Sequence, residues 1–245
     1  MGVQVSSTTG RQYSYNTASL SDSNSIHWWT QSATVAPPRL DFGEALVGTS
    51  ASPQTVTVTN NGGGPVTISS IDISGGNSGD FSQSHNCPLS PSTLPAGEDC
   101  AIDVTFTPTA GGSRRASLSI THNAAGSPNR VTLAGLGTAV GLSSTSLTFS
   151  GQQVGTSSTP QTVIVTNHGT APVSIFDMGV TGVNSGDFAP SSDCPVAPAT
   201  LAGSATCTIS VVFSPSALGA RSALLLMSHD GGASPHSITL AGTGQ

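Results

Sequence analysis

The sequence contains no lysine, and its six basic residues are all arginines. Charged residues of both signs make up only 7% of the 245 residues, against roughly 25% in ordinary soluble domains. Nucleic-acid binding needs clustered cations that neutralise phosphates, so the net charge of −6 argues against it. The absence of lysine also excludes a P-loop, Schiff-base catalysis and a lysine–asparagine crosslink. So little charge is typical of a surface that packs against another protein.

Long apolar runs are absent as well, and none approaches the ~20 residues that cross a bilayer. We therefore expect no membrane insertion. The first thirty residues lack the basic start and the apolar stretch of a signal peptide. A retained Met1 without a signal peptide favours a virion protein, which is assembled in the cytosol and freed by lysis. An exported protein would instead be a processed form with Met1 added, or would leave the cell by an unusual route.

The chain repeats itself at a fixed shift of 107 residues, without a gap, from 40–138 to 147–245. "VGTSASPQTVTVTN" returns as "VGTSSTPQTVIVTN", and "NSGDF" occurs in both copies. A unit of about 100 residues is too long for a solenoid repeat, which has about 20–50 residues. The sequence therefore predicts whole domains in tandem, with these boundaries: an arm at 1–36, a first domain at 37–138, a short linker at 139–146 and a second domain at 147–245.

Within each copy, apolar and polar residues alternate with a period of two, as in "CAIDVTF" at 100–106. The alternating runs are short, rich in Val, Ile and Thr, and interrupted by Gly, Pro and Asn about every 8–12 residues. No stretch combines helix caps with a 3.6-residue period. The pattern predicts an all-β protein, with two tandem immunoglobulin-like antiparallel β-sandwiches and an extended N-terminal arm.

The four cysteines form two matching pairs, each 13 residues apart. Of the three possible pairings, the simplest joins Cys87 to Cys100 and Cys194 to Cys207. Closing such a loop contributes about 3 kcal/mol of stability. A zinc site would need close C-x-x-C pairs and further ligands, which the sequence lacks. Disulfides are typical of compartments outside the reducing cytosol, so we expect an extracytoplasmic protein, secreted or at the cell surface, with the virion surface as the alternative.

Several motifs recur in the same order in both copies: "L-x-F", "VGTSxxPQTVxVTN", "NSGDF", "C…LxxGxxCxIxVxFxP" and "LAGxG". In this order they resemble the immunoglobulin-like modules of the ASH/Hydin group, known in bacteria as choice-of-anchor D repeats. The resemblance covers residues 37–245. It implies a non-enzymatic module, usually strung along large surface or scaffold proteins, with no catalytic residues. Here only two copies occur, no anchor is evident, and the arm has no counterpart in the family.

The residues offer no catalytic constellation, so we expect neither an enzyme, nor a cofactor, nor a metal site. Only two glutamates occur, Glu44 and Glu98, and a paired-carboxylate hydrolase is hard to build from them. His122 and His229 stand at matching strand ends in different domains, and we expect both to be solvated turn histidines.

The "NSGDF" motif places one carboxylate in each repeat, at Asp80 and Asp187. Asparagine and aspartate oxygens suit calcium, but a single carboxylate is too few for a tight site. We expect each aspartate to accept hydrogen bonds from nearby backbone amides in a turn.

Every tyrosine and tryptophan of the protein lies in the arm, at Tyr13, Tyr15, Trp28 and Trp29. Such side chains bury about 150–250 Å² each and favour a partner. The arm therefore either folds back on the first sandwich or docks on another subunit, and we favour docking.

The two repeats differ at the positions that should face outward on their strands. Repeat one has Ser69, Ser117 and Ser119 where repeat two has Phe176, Leu224 and Leu226. Thr57 and Thr105 are likewise replaced by Ile164 and Val212. In immunoglobulin topology Phe176, Leu224 and Leu226 belong to one sheet, so the sequence predicts an apolar, partner-binding patch on the second domain alone.

These features favour a structural or adhesive component of a surface-exposed assembly, either a cell-surface fibre or a virion decoration. Its partners would be other protein subunits. The alternative is a carbohydrate-binding module in which Trp28 and Trp29, with Tyr13 and Tyr15, stack on glycans.

Overall fold

The structure is a computed structural model that describes residues 4–6, 12–14 and 30–245. Two short strands, β1 (Gln4–Ser6) and β2 (Gln12–Ser14), pair antiparallel, and Tyr13 lies in β2 opposite Val5. The other three arm aromatics, Tyr15, Trp28 and Trp29, lie outside the described residues.

The first sandwich consists of eight strands in two four-stranded sheets, with strand orders β4-β10-β9-β6 and β3-β5-β8-β7. Several of the strands are short and rich in Val, Ile and Thr, and turn residues such as "NGGGP" at 61–65 end the runs. The strands are β3 (Ala33–Ala36), β4 (Arg39–Leu46), β5 (Gln54–Asn60), β6 (Ile68–Ser74), β7 (Phe81–His85), β8 (Asp99–Phe106), β9 (Gly112–His122) and β10 (Asn129–Thr138).

The second sandwich repeats this plan with the orders β12-β18-β17-β14 and β11-β13-β16-β15. Its registered strand pairs are antiparallel except β12 with β18, which is parallel. The strands are β11 (Val140–Leu142), β12 (Ser146–Gln152), β13 (Gln161–Asn167), β14 (Ile175–Thr181), β15 (Phe188–Ser192), β16 (Thr206–Phe213), β17 (Gly219–His229) and β18 (His236–Gly244).

The predicted all-β fold of two tandem immunoglobulin-like sandwiches is confirmed. Among the described residues the helical segments are two 3-10 turns, Ser78–Asp80 and Ser185–Asp187. In the same part of the chain, no helix has the length and apolar character that a membrane span requires.

Two segments that the sequence analysis placed outside the sandwiches form edge strands. Strand β3 falls in the predicted arm 1–36 but pairs with β5. Strand β11 falls in the predicted linker 139–146 but pairs with β13.

The chain divides into two compact units. One holds the described residues up to Gly43 together with Ala51–Phe106 and Arg114–Gly135. The other holds Glu44–Ser50, Thr107–Ser113 and Leu136–Gln245.

Each sandwich has a core built on three phenylalanines. In the second, the Phe188 and Phe213 rings lie 4.9 Å apart, and Phe149 lies within 6.0 Å of both. Gly242 of the repeated "LAGxG" motif lies against this cluster, since a Cβ there would stand 2.6 Å from the Phe213 ring. The motif therefore requires glycine because the strand backbone contacts the aromatic core directly.

Both disulfides are present, joining Cys87 to Cys100 and Cys194 to Cys207 with Cα atoms 4.9 Å apart. Each ties the loop after one edge strand to the first residues of a central strand, β8 or β16. The bonds are buried, with the four cysteines at most 7% exposed.

Candidate interaction surface

The "NSGDF" aspartates are buried partners of arginines. The carboxylate of Asp187 accepts from the Arg221 guanidinium and from the backbone N–H of Ser216. Burial alone would raise the pKa of Asp187, but the hydrogen bonds from Arg221 and Ser216 outweigh it and lower that pKa. In the first repeat, Arg114 donates to Asp80 in the same way. The expected hydrogen bond from a backbone amide is present at Asp187, but the main partner of each aspartate is an arginine, Arg114 on β9 or Arg221 on β17.

The asparagine of the same motif completes this attachment. Oδ1 of Asn184 accepts from the backbone N–H of Ser222 at 3.0 Å, and Asn77 does the same from Arg115 at 2.9 Å. The motif thus fastens each 3-10 turn to the neighbouring strand, which is a structural role.

The expectation of solvated turn histidines is wrong. His122 is 6% exposed and His229 is 4% exposed. Nε2 of His122 lies 2.6 Å from Oδ1 of Asn129, and Nε2 of His229 lies 2.6 Å from Nδ1 of His236. Each histidine closes the hairpin that it begins. The signal in the sequence was the polar residue seven positions later in both repeats.

One group of three possible metal ligands occurs among the described residues, formed by Asp193, Cys194 and Cys207. The two sulfurs are bonded to each other, so neither is a thiolate. Oδ1 of Asp193 already accepts from the backbone N–H of Thr208 at 2.5 Å. This group closes a loop and does not suit a cation.

The structure places Phe176, Leu224 and Leu226 on one sheet, in the adjacent strands β14 and β17. The neighbours of the leucines along β17, such as Leu225 at 1% exposed, point into the core. Leu224 is therefore directed outward and is 41% exposed, while Leu226 is half-buried. Phe176 lies at a bulge of β14 and is 54% exposed. We call this surface the outer face of the second sandwich.

The polar surroundings of this face differ between the repeats. Leu226 lies directly across from Gly179 on one side and from Ser237 on the other. The matching residue of repeat one, Ser119, lies across from Asp72. The first sandwich therefore pairs Asp72 with Ser119 where the second pairs Gly179 with Leu226, so the carboxylate and the hydroxyl at these two positions are both absent from the second sandwich.

The bulge position shows the same contrast. Ser69 of the first sandwich donates its hydroxyl to the backbone oxygen of Thr121 at 3.1 Å. Phe176 has a bare ring at the matching place. The Ser69 hydroxyl thus has a hydrogen-bond partner on the neighbouring strand, whereas the exposed Phe176 ring forms no hydrogen bonds with water.

Ile164 and Val212 lie on the other sheet of the second sandwich, in β13 and β16. Ile164 is 47% exposed, and Val212 is half-buried. They do not join the outer face formed by Phe176, Leu224 and Leu226, so they provide a comparison of similar chemistry at a different place.

The sequence analysis missed several further exposed apolar residues, of which Val183 and Leu218 are the most exposed. Val183 is 97% exposed and Leu218 is 74% exposed, each in a loop of the second sandwich. Both replace glycines of repeat one, Gly76 and Gly111. The comparison of matched positions could have identified them, but it was applied to strands alone.

Comparison with known families matches residues 30–129 to the ASH model, described as "Abnormal spindle-like microcephaly-assoc'd, ASPM-SPD-2-Hydin". A comparison with curated proteins finds no match.

Similar solved structures include PapD-like domain 7 of human CEP192, an ASH/PapD-like domain. It has 20% identity over 44% of this chain and 86% of that chain, with a TM-score of 0.34. The secreted serine protease VesC from Vibrio cholerae has 14% identity over 76% of this chain and 46% of that chain, with a TM-score of 0.34. Red sea bream transglutaminase has 13% identity over 88% of this chain and 31% of that chain, with a TM-score of 0.38.

The matched segment runs from just before β3 through the end of β9 and contains the first copy of every repeated motif except "LAGxG", which follows at 133–137. ASH and immunoglobulin-like domains are generally non-catalytic modules for protein interaction or structure. Residues 30–129 of this chain are therefore similar to the ASH family.

Proposed function

We propose that the chain is a non-catalytic structural or adhesive component of a surface-exposed assembly, such as a cell-surface fibre or a virion decoration. The first sandwich serves as spacer, the second provides an interface, and the arm attaches the chain to its neighbour. The observation that carries the proposal is the outer face of the second sandwich, where Phe176, Leu224 and Leu226 replace three serines.

An exposed apolar side chain alone needs no explanation, because folded proteins expose many. Three on one face, with hydroxyls at every matched site of an otherwise similar domain, are typical of a covered surface. Covering them contributes on the order of 5 kcal/mol before association costs. That is enough to organise a contact whose remaining area is polar.

The occupant that we infer is the aromatic segment 13–29 of a second copy. This segment contains all the tyrosine and tryptophan of the protein, whereas the sandwiches contain only phenylalanine among the aromatics. Segment 13–29 has 17 residues and can span at most roughly 60 Å when extended, which suffices to reach another copy. Tyrosine and tryptophan are also the residues most enriched in the energetic centres of protein interfaces.

The disulfides support a location outside the reducing cytosol. Both a secreted fibre and a released virion meet that condition, and electron microscopy of native material distinguishes them.

The test is sedimentation velocity of the full chain over a range of concentrations. The triple variant Phe176→Ser, Leu224→Ser, Leu226→Ser installs the residues of repeat one and should remain monomeric where the unmodified chain associates. The matched control is Ile164→Thr with Val212→Thr, which makes the same kind of change on the other sheet. The proposal is wrong if the triple variant associates like the unmodified chain, or if the control loses association equally.

A second experiment separates the arm from the face. Trp28→Ala with Trp29→Ala should lose association to the same degree as the triple variant. A glycan array with both proteins tests the carbohydrate alternative. If the tryptophan variant loses a specific glycan signal and still associates normally, the arm binds sugars and the proposed role of the arm is wrong.

A further inference from the structure

The hairpin between β17 and β18 is closed by two stacked imidazoles. The rings of His229 and His236 have centroids 4.8 Å apart and planes inclined by 27°. Nε2 of His229 and Nδ1 of His236 are 2.6 Å apart, which is a hydrogen bond between two titratable groups. His229 is 4% exposed and His236 is half-buried.

The hydrogen bonds determine where the ring protons lie. The backbone N–H of Gly231 donates to Nδ1 of His229 at 3.1 Å, so this nitrogen is an acceptor. Nε2 of neutral His229 must then carry the proton and donate to Nδ1 of His236. A further proton could bind only at Nδ1 of His229 or Nδ1 of His236 among these bonded nitrogens. Either choice turns an acceptor into a donor and sets two N–H groups against each other.

The charged groups around the pair act in opposite directions. Burial, and then the charge of His236, lower the pKa of His229 to about 4, and Asp230 opposes this. Burial also lowers the pKa of His236, and the Glu44 carboxylate opposes it. His168 lines the same groove as His236 and Glu44. Burial outweighs the two carboxylates, so the closed hairpin keeps both rings neutral.

The loop between the two histidines depends on this closure. The carbonyl of Gly231 accepts from the N–H of Ala139 at 2.7 Å, and the N–H of His229 donates to Ser234 Oγ at 2.9 Å. Gly231 also packs so closely that an added Cβ would stand 2.9 Å from the Val140 side chain. The N–H groups of Gly231 and Ala139 are therefore the amides whose protection depends on a closed hairpin.

The first sandwich contains the same hairpin without the second titratable group. Nε2 of His122 is bonded to Asn129, and the N–H of Ala124 donates to its Nδ1 at 3.2 Å. The geometry is conserved between the two copies, and the residue across from the buried histidine is an amide in one and an imidazole in the other.

We propose that the His229–His236 pair is an acid-sensitive latch: proton uptake breaks the bond between the two rings and opens the 229–236 hairpin. The 122–129 hairpin, closed by an amide, does not share this response. Acid would thus loosen one end of the second sandwich while the rest of the chain remains folded. The latch does not depend on the proposed interface, because its residues lie at the hairpin and not on the outer face.

Amide hydrogen exchange of the full chain between pH 7 and pH 4 tests the latch, with rates corrected for intrinsic exchange. Protection at Gly231 and Ala139 should fall by at least about tenfold for each pH unit between 6.5 and 4, because opening lets His229 take up one proton and removes the burial that also lowers the pKa of His236. Protection at Ala124 should change little. His236→Asn installs the repeat-one partner and should remove the pH dependence at Gly231.

Imidazole nitrogen shifts of the unmodified chain at pH 7 give a second readout that needs no variant. They should report His229 protonated at Nε2 and acceptor at Nδ1. The latch is wrong if Gly231 and Ala124 lose protection together, if neither loses it, if His236→Asn keeps the pH dependence, or if His229 is already cationic at pH 7.

Discussion

Leu226 on β17 lies directly across from Gly179 on β14, whereas the first sandwich pairs Ser119 with Asp72 at the same place. The strand pair has thus kept its register but lost the carboxylate at this position, while β14 carries Asp177 two residues away, across from Ser228. We connect this difference to the proposed interface, and it suggests a single substitution that reverses it.

Gly179→Asp should weaken association without unfolding the second sandwich. No atom lies within 4 Å of a Cβ added at this glycine, so the carboxylate fits, but docking would bury it beside Leu226. We expect association to weaken by at least about tenfold, measured by sedimentation velocity, because an unpaired buried charge costs more than 1.4 kcal/mol. Asp72→Gly in the first sandwich is the matched control and should leave association unchanged. A Gly179→Asp variant that associates normally would contradict the interface.

Removing the buried ion pair of the second sandwich should cost far more stability than removing an exposed one. Asp187→Asn leaves the Arg221 guanidinium buried without its anion, and we expect a loss of about 3 kcal/mol in the free energy of unfolding. Asp41→Asn breaks the exposed pair with Arg39, whose side chains are both 56% exposed, and should change the free energy of unfolding far less because water screens the pair. Urea unfolding followed by circular dichroism measures both. Equal losses would show that burial of the pair is unimportant.

The same pair gives a pH dependence of known sign. The pKa of folded Asp187 lies below its ordinary 3.8, so the folded state holds the proton less tightly than the unfolded state. Its stabilisation is complete above pH 3.8 and is lost as the pH falls further. Urea midpoints of the unmodified chain should drop below that pH more steeply than those of Asp187→Asn. If the urea midpoints of the two proteins fall in parallel as the pH is lowered, Asp187 does not cause the pH dependence.

His229 should make the stability depend on pH in a higher range than Asp187 does. Its folded pKa of about 4 lies below the ordinary 6.5, so acid favours the unfolded or opened state. The stabilisation from the neutral pair is complete above pH 6.5 and is lost between pH 6.5 and 4. Urea midpoints should therefore fall over this range, and His236→Asn should flatten the fall. A steeper fall in the variant would be the opposite of what the histidine pair predicts.

Glycine at position 242 should be required by the core and not by backbone conformation. Gly242→Ala places a methyl group 2.6 Å from the Phe213 ring, and we expect a loss of about 1–3 kcal/mol in the free energy of unfolding. Gly186→Ala, where no atom lies within 4 Å of an added Cβ, is the control and should cost less than about 1 kcal/mol. Urea unfolding compares the two. A similar loss for both would show that the ring contact does not limit residue 242.

Much of the fold follows from local sequence, because strands alternate with a period of two. That period places Leu224 and Leu226 outward once Leu225 is known to be inward. The 107-residue repeat likewise pairs Cys194 with Cys207 by economy alone. Both inferences need only the order of residues in the chain, and neither needs a contact between distant segments.

Other features depend on contacts between distant segments and could not be read in this way. The partner of Asp187 is Arg221, 34 residues later, and only the packing of the 3-10 turn against β17 brings them together. The burial of His229 was missed because a histidine at a strand end before a turn is usually exposed. The short edge strands β3 and β11 have too few residues for a period to be visible.

The central claim is that the outer face of the second sandwich is covered in the native assembly. Electron cryomicroscopy of that assembly tests it most directly. We predict density from segment 13–29 of a neighbouring copy over Phe176, Leu224 and Leu226, with the matching serines of the first sandwich open to solvent. An assembly in which these three side chains face solvent would contradict the account.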